Sequence, residues 1–350
     1  MSKTITIGKK TIGEGFPAYI IAEIGINHNG DINTIKKMVL EAKFCGVDAV
    51  KFQIFKSEEF ISNSDYIYSY TSQGKPVSES MLAMFRRFEF SANQWKTLFR
   101  FCTKQGIDFF VTPQNPSDLD FVLSLVNIPV IKVGSDDLTN LDLLDNYARR
   151  GKPLIISAGM ATISEIEDAV TTIRNTGNND FAILHCISSY PCEAQDVHLK
   201  KMLTIRQTFD VVTGFSDHTV GSVASVGAVT LGAHIIEKHF TLDKNLPGPD
   251  HWFSADPREL KELVCNIRFI EDALGTALVQ PTQKEYAMRE IARRSIVAID
   301  DIPVGKIIQR NMVGFKRPGI GLPPKYLNII LGRKTRLFIR KNEQITFNNT

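Results

Sequence analysis

Short β-branched or apolar runs alternate with longer amphipathic stretches from Tyr19 to about Gly275. A switch between a two-residue and a 3.6-residue hydrophobic period is the mark of repeated strand–helix units. The runs are Tyr19–Ile24, Ala49–Ile54, Asp108–Thr112, Val130–Gly134, Leu154–Ala158, Phe181–Cys186, Val211–Phe215 and Ile235–Phe240. Between them the spacing predicts helices near Asn33–Phe44, Ala92–Gln105, Ser117–Val126, Leu141–Arg150, Ile163–Asn175, Val197–Phe209, Val220–Leu231 and Pro257–Leu274. Ser91 and Ser117 are N-cap candidates, and Pro257 suits a first turn. Eight such units in about 275 residues predict an α/β fold, a (β/α)8 TIM barrel. An open doubly wound sheet fits less well, because no GxGxxG loop follows the first strand.

Two segments interrupt the repeat. Lys56–Glu89 is a long insertion rich in Ser, Asn and Tyr that ends in a helix-like Ser80–Arg87, a length typical of lids and binding loops. Thr4–Gly13 alternates like a hairpin and is expected to plug the bottom of the barrel. The last 60 or so residues change character: short apolar runs (Ser295–Ile299, Thr335–Ile339) alternate with Pro and Gly turns. The expected organisation is a barrel over 1–278, a linker over 279–290 and a small, mostly β module over 291–350.

Composition narrows the class. At 43% hydrophobic and 23% charged, with no apolar run near the ~18 residues of a bilayer span, the chain reads as soluble rather than membrane-embedded. The N-terminus lacks the apolar stretch of a signal peptide. Five scattered cysteines without a CxxC pair suit reduced thiols and a cytoplasmic location. The net charge of +3 conceals an asymmetry: from Ile302 onward ten basic residues stand against one acid, Glu343. That basic tail could attract nucleic acid, an anionic small molecule, or nothing specific.

In such a barrel the carboxyl ends of the strands line the active site. Here they carry Glu23; Lys51 and Gln53; Thr112; Lys132, Ser135 and Asp137; Ser157; His185, Ser188 and Tyr190; Ser216 and His218; Glu237 and His239. A full ring of polar groups is hard to explain as packing. A lysine between Val50 and Phe52, or between Ile131 and Val133, needs an anionic partner, since an unpaired buried ammonium is costly. Three readings stay open at this point: a structural ion pair, a Schiff-base lysine, or two cations clamping a phosphate or carboxylate. The hydroxyls of Thr112, Ser135, Ser157, Ser188 and Ser216 favour the clamp. His218 and His239 end adjacent strands, where neutral imidazoles suit a divalent ion such as Mn²⁺, Co²⁺ or Zn²⁺. Each alone would equally suit a packed core histidine, as would His185.

The ordered motifs AEIGINHNGD (22–31), AVKFQ (49–53), KVGSDDLTN (132–140), SAGM (157–160), HCISSYP (185–191), GFSDHT (214–219), EKHF (237–240), GPDH (248–251) and KRPGIG (316–321) resemble the N-acetylneuraminate (sialic acid) synthase family. The resemblance covers nearly the whole chain, including a C-terminal module like the family's antifreeze-like (SAF) domain. It implies condensation of phosphoenolpyruvate with an N-acylated aminohexose, typically N-acetylmannosamine, giving a nine-carbon 2-keto acid and phosphate. Phosphoenolpyruvate would be held by Lys51, Thr112, Lys132, Ser135, Ser157, Ser188 and Ser216. His218 and His239 would bind a divalent metal, Mn²⁺ with Mg²⁺ or Co²⁺ as alternatives, that polarises the sugar aldehyde. Glu23 would act at the reacting centre, and Gln53, Asp137, Tyr190 and Asp250 would contact the sugar. Arg317 would reach over the sugar in the other chain of a domain-swapped homodimer, which favours a small anion over nucleic acid for the basic tail.

Departures from the family pattern concentrate on the sugar side. Ser188 stands where some members carry Asn, Asp137 where they carry Glu, and Ile291 where they carry an aromatic residue; the 56–89 insertion has no clear counterpart. His251 after Asp250 resembles the sialic and legionaminic acid branches more than the pseudaminic one. Synthases of legionaminic or pseudaminic type on a modified hexose are therefore the alternative. A Schiff-base pyruvate aldolase and an inactive barrel with a polymer-binding module are the remaining readings.

Overall fold

The computed structural model describes residues 3–350. The chain forms two compact units, Met1–Gly275 and Thr276–Thr350. Strands β1 (Thr4–Ile7) and β2 (Lys10–Gly13) make an antiparallel hairpin. The barrel strands begin with β3 (Tyr19–Gly25) and β4 (Ala49–Ile54), and a second hairpin follows, β5 (Ile67–Ser72) and β6 (Lys75–Ser80). The barrel continues with β7 (Asp108–Pro113), β8 (Ile131–Val133), β9 (Leu154–Ser157), β10 (Phe181–Cys186), β11 (Val212–Asp217) and β12 (Ile235–His239). These eight strands are hydrogen-bonded in parallel in the order β7-β4-β3-β12-β11-β10-β9-β8. The outermost two, β7 and β8, pack against each other, so the sheet is a nearly closed TIM-like barrel.

Burial on both faces explains the near-continuous apolar runs in these strands, where β3, β9, β10 and β11 are buried throughout. The first hairpin closes the end where the strands begin. Its Ile5, Ile7 and Ile12 enter the barrel's core cluster, and Lys10 pairs with Asp48, just ahead of β4. Helix starts follow local chemistry. Ser91, Thr162 and Asp256 each close a capping box, and Pro257 occupies the first turn. One expected cap moves: the helix begins after Asn115, with Pro116 rather than Ser117 in its first position. The helix expected over 197–209 is broken at His198, whose φ of +46° interrupts it, and resumes at Lys200–Phe209.

The second unit is built on an antiparallel pair, β13 (Ser295–Ala298) with β14 (Val313–Lys316). Isolated bridges tie Ile302 to Ile339 and Ile307 to Lys334, so the 335–339 run pairs through single bridges rather than as a strand. Ile296, Ile308, Ile330, Ile339 and Ile345 form its small core. Much of the expected linker is a helix, Gln283–Ala292, started by a Thr282–Glu285 capping box; it buries no side chain, and Ile291 on it is exposed.

Candidate active site

Side chains two apart on a strand share a face, so Lys51 with Gln53, Ser216 with His218, and Glu237 with His239 all point into the barrel mouth. One cavity of about 910 Å³ opens there, and Glu23, Lys51, Gln53, Thr112, Lys132, Ser135, Ser157, Ser188, Tyr190, Ser216, His218, His239 and Asp250 all line it. Asp137 does not; its neighbour Asp136 takes the wall position, while burial and the Asp136 charge push the Asp137 carboxyl up to about 6. Arg317 belongs to the second unit. His185 sits outside this cavity as a packed residue: its Nε2 bonds the Val197 carbonyl at 2.7 Å and its ring stacks on Phe215.

Two lysines and two glutamates form the floor. Lys51 Nζ lies 3.1 Å from Glu23 Oε2 and 3.7 Å from Glu237 Oε2, and donates to Thr112 Oγ1 at 3.1 Å. Lys132 Nζ donates to Ser157 Oγ at 2.7 Å and lies 4.0 Å from Glu237 Oε1. The structural ion pairs expected of buried lysines are thus present. The carboxylates are nonetheless incompletely satisfied, since Glu23 Oε2 and Glu237 Oε2 make no hydrogen bond. Burial pushes the Glu23 carboxyl up to about 7, with Lys51 opposing and Glu237 adding. Burial also works against the Glu237 charge, but Lys132 and Lys51 bring that carboxyl below its ordinary value. Burial lowers Lys132, whereas for Lys51 it is outweighed by the two glutamates, which raise it. The result is a near-neutral tetrad whose proton inventory changes around neutrality.

The histidine pair stands beside it, with ring centroids 5.4 Å apart. His218 Nδ1 lies 2.7 Å from the Ile187 carbonyl, which can only accept, so Nδ1 carries the proton and Nε2 presents its lone pair. Nδ1 of His239 is buried without a hydrogen-bond partner. Burial, first of all, keeps both imidazoles neutral, His218 down to about 4 and His239 well below the ordinary histidine value. Two neutral rings, one with its tautomer fixed by a carbonyl and one with an orphaned nitrogen, are the donor chemistry a borderline divalent ion takes. Among the described residues no cluster of three or more His, Cys, Asp or Glu side chains could hold a metal. Water or substrate oxygens would therefore complete the coordination, as in an open catalytic site.

Several residues that the sequence reading did not single out also shape the site. Cys186 ends β10, with its Sγ 3.0 Å from Ser135 Oγ, and Ser135 Oγ in turn accepts from Gly159 N at 3.0 Å. Phe253 packs 5.2 Å from the His239 ring, and Tyr190 covers His218 at 4.2 Å. The largest group of missed residues sits on the 56–89 insertion, which contributes Phe60, Tyr68, Ser69, Tyr70, Thr71, Met81, Met84 and Phe85. Their signal was the β5–β6 hairpin itself. Alternating segments flank Gln73-Gly74, both at positive φ (52° and 72°), as a tight two-residue hairpin turn requires.

A TIM-like barrel whose mouth gathers two buried lysines, a ring of hydroxyls and two neutral imidazoles in one cavity has the layout of a TIM-barrel enzyme. The comparisons give the family. The NeuB family model matches residues 38–278 and the SAF domain model residues 293–349, so the chain belongs to the NeuB family and carries a SAF domain. It is 45% identical to an uncharacterized protein of Methanocaldococcus jannaschii, covering 95% of this chain and 94% of that one. It is 38% identical to the N,N'-diacetyllegionaminic acid synthase of Legionella pneumophila, covering 93% of each chain. Among solved structures it resembles the N-acetylneuraminic acid (sialic acid) synthetase of Leptospira borgpetersenii, solved with citrate. That match has TM-score 0.73 at 34% identity and covers 82% of this chain and 95% of that one.

Proposed function

We propose that the protein condenses phosphoenolpyruvate with an N-acylated aminohexose and water, giving a 2-keto sugar acid of the sialic type and phosphate. The observation that carries this reading is the single cavity in which Lys51, Lys132 and the hydroxyl ring face a pair of neutral imidazoles. Lys51 and Lys132, with Thr112, Ser135, Ser157, Ser188 and Ser216, would hold the phosphate and carboxylate of phosphoenolpyruvate. Charge-assisted hydrogen bonds of this kind are stronger than neutral ones. His218 and His239 would hold the divalent ion, Mn²⁺ in the first instance. That ion would supply Lewis-acid activation of the acceptor's aldehyde.

The balance of the reaction assigns work to the chain's own groups. Carbon 3 of phosphoenolpyruvate bonds to the aldehyde carbon, whose oxygen takes up a proton. Water bonds to carbon 2 and loses one proton; the carbon 2–oxygen bond then breaks, and the carbon 2 hydroxyl becomes the ketone as its proton passes to the departing phosphate. Glu23, whose carboxyl titrates near 7 beside Lys51, can give the first proton and accept the second. Gln53, hydrogen-bonded to Glu23 at 3.3 Å, Tyr190, Asp250 and the wall at Asp136 would orient the sugar. Arg317 would complete the site from the second chain of a domain-swapped homodimer, in the cytoplasm where phosphoenolpyruvate is made. Related chains named as legionaminic acid synthases support a modified hexose as the alternative acceptor. The lowered Lys132 is the one observation that favours a Schiff-base aldolase.

The test is phosphate release from phosphoenolpyruvate with Mn²⁺ and candidate N-acylated aminohexoses. Release that needs both the sugar and the metal, is stopped by EDTA and is accompanied by no borohydride-trapped adduct supports the synthase. A borohydride-trapped pyruvate adduct on Lys132, with indifference to EDTA, overturns it in favour of the aldolase.

A further inference from the structure

A second pair of buried charges stands on the same two strands as the imidazoles, on the side away from the cavity. Side chains alternate along a strand. Ser216, His218, Glu237 and His239 line the cavity, and Asp217 and Lys238 between them do not. Asp217 turns instead towards the helix Val223–Thr230, whose Ser225 Oγ donates to its Oδ2 at 2.5 Å. Asp217 and Lys238 are direct register partners on β11 and β12, and each immediately precedes one of the two histidines. Lys238 Nζ lies 3.1 Å from Asp217 Oδ2, with both side chains buried.

The bonds of this pair run to the backbone around His218. Thr219 N and Thr219 Oγ1 each donate to Asp217 Oδ1 at 2.8 Å, and Lys238 Nζ donates to the Thr219 carbonyl. The residue before His218 and the residue after it are therefore both held by one ammonium, and that ammonium belongs to the residue before His239. The histidine carbonyls are fixed as well: that of His218 accepts from Cys192 N, and that of His239 from Ala255 N, both at 2.8 Å. Stability alone accounts poorly for such a pair. Desolvating two charges offsets most of their attraction, and apolar side chains of similar volume often serve a fold equally well. What apolar side chains could not supply is the tie from one strand end to the Thr219 carbonyl.

We infer that Asp217 and Lys238 are positioning residues for the imidazole pair: Lys238, reaching from the flank of His239 to the flanks of His218, holds the two rings at their 5.4 Å separation. The inference rests on the reading that His218 and His239 hold a divalent ion. Partners that orient metal ligands from behind are worth about 10–100-fold in metal affinity.

The experiment measures Mn²⁺ binding to the metal-free full chain, with free ion counted by electron paramagnetic resonance. Lys238→Met keeps much of the apolar stem and loses the tie. The double variant Asp217→Asn with Lys238→Met also removes the uncompensated carboxylate, and an asparagine amide can still accept from Thr219 and donate to Ser225. It carries the test if the single variant does not fold. Ile173→Ala, a buried truncation on the helix Ile163–Asn175 outside the cavity, serves as a control for loss of stability. Both Lys238→Met variants should bind Mn²⁺ about 10–100-fold more weakly than the wild type, with a lower kcat and a phosphoenolpyruvate KM within about twofold at saturating metal. Ile173→Ala should bind Mn²⁺ as the wild type does, which a merely structural role for Lys238 would not predict. Wild-type affinity in the folded double variant, or equal weakening in Ile173→Ala, overturns the positioning role and leaves the metal reading standing. A wild-type chain that binds no Mn²⁺, or one that binds it as tightly after His218→Ala and His239→Ala together, overturns the metal reading and the inference with it.

Discussion

The two ends of the cavity are built on different principles. At the floor, charges sit on rigid strands and answer one another: Lys51 and Lys132 against Glu23 and Glu237, with Thr112, Ser157 and Ser216 between them. At the mouth, the wall comes from a hairpin and the segments after β4, β10 and β12, and it is largely apolar. Removing a buried charge leaves its partner uncompensated, whereas trimming a rim contact leaves a little more room for water. The comparison teaches that charges which answer one another need the rigid frame of the strands, whereas an apolar wall can be carried on segments inserted between strands without disturbing the barrel.

The largest effect expected is at the floor. Lys132→Ala leaves Glu237 and Ser157 without their ammonium; breaking a buried pair from one side costs about 3–5 kcal/mol. Thermal unfolding should register that loss, and turnover at any phosphoenolpyruvate concentration should fall below detection. Unchanged kinetics would reduce the lysine to a structural role. Next, His218→Ala and His239→Ala should each weaken Mn²⁺ binding, followed by calorimetry or electron paramagnetic resonance, by more than the ~10–100-fold that outer-sphere partners are worth. Wild-type affinity in either variant would remove the pair as the metal site.

A pH series sharpens the picture of the floor. Glu23 binds its proton more tightly in the folded chain, near 7, than an ordinary carboxyl does. The folded state therefore holds more protons than the unfolded one between those two values, and this group's contribution to stability falls as pH rises through that window. Glu23→Gln should flatten that part of the stability profile; an identical slope in the variant would mean the carboxyl titrates elsewhere. The smallest effect is at the rim. Ser72→Ala removes the hydrogen bond that latches the hairpin to Gly248 N and should raise the acceptor KM a few-fold, with stability changing by only about 0.5 kcal/mol. An equal rise in the KM for phosphoenolpyruvate would show that the two ends are not independent.

The same contrast explains what could be read from the sequence. The eight strands were legible because full burial demands unbroken apolar runs, and a lysine or glutamate inside such a run stands out. The site residues on β3, β4, β7, β8, β9, β11 and β12 follow from that rule alone, and all of them line one cavity. Past the strand ends the rule weakens. Asp136 and Asp137 differ by one position in a turn, with no period to say which faces inward. The 56–89 insertion offered only a polar composition and a weak alternation around Gln73-Gly74, so its hairpin and apolar wall emerged only with tertiary packing. The helix at Gln283–Ala292 was hidden for a related reason: it buries nothing, so it carries no amphipathic stripe, only the Thr282–Glu285 cap.

The most direct test of the account follows one oxygen atom. Phosphoenolpyruvate labelled with ¹⁸O at the bridging position is turned over with Mn²⁺ and an accepted N-acylated aminohexose, and the released phosphate is weighed by mass spectrometry. Attack through carbon 3, with water adding at carbon 2 and the carbon–oxygen bond breaking, predicts phosphate that carries the label. Unlabelled phosphate, with the ¹⁸O retained in the organic product, would mean phosphorus–oxygen cleavage and would contradict the division of labour assigned to this cavity.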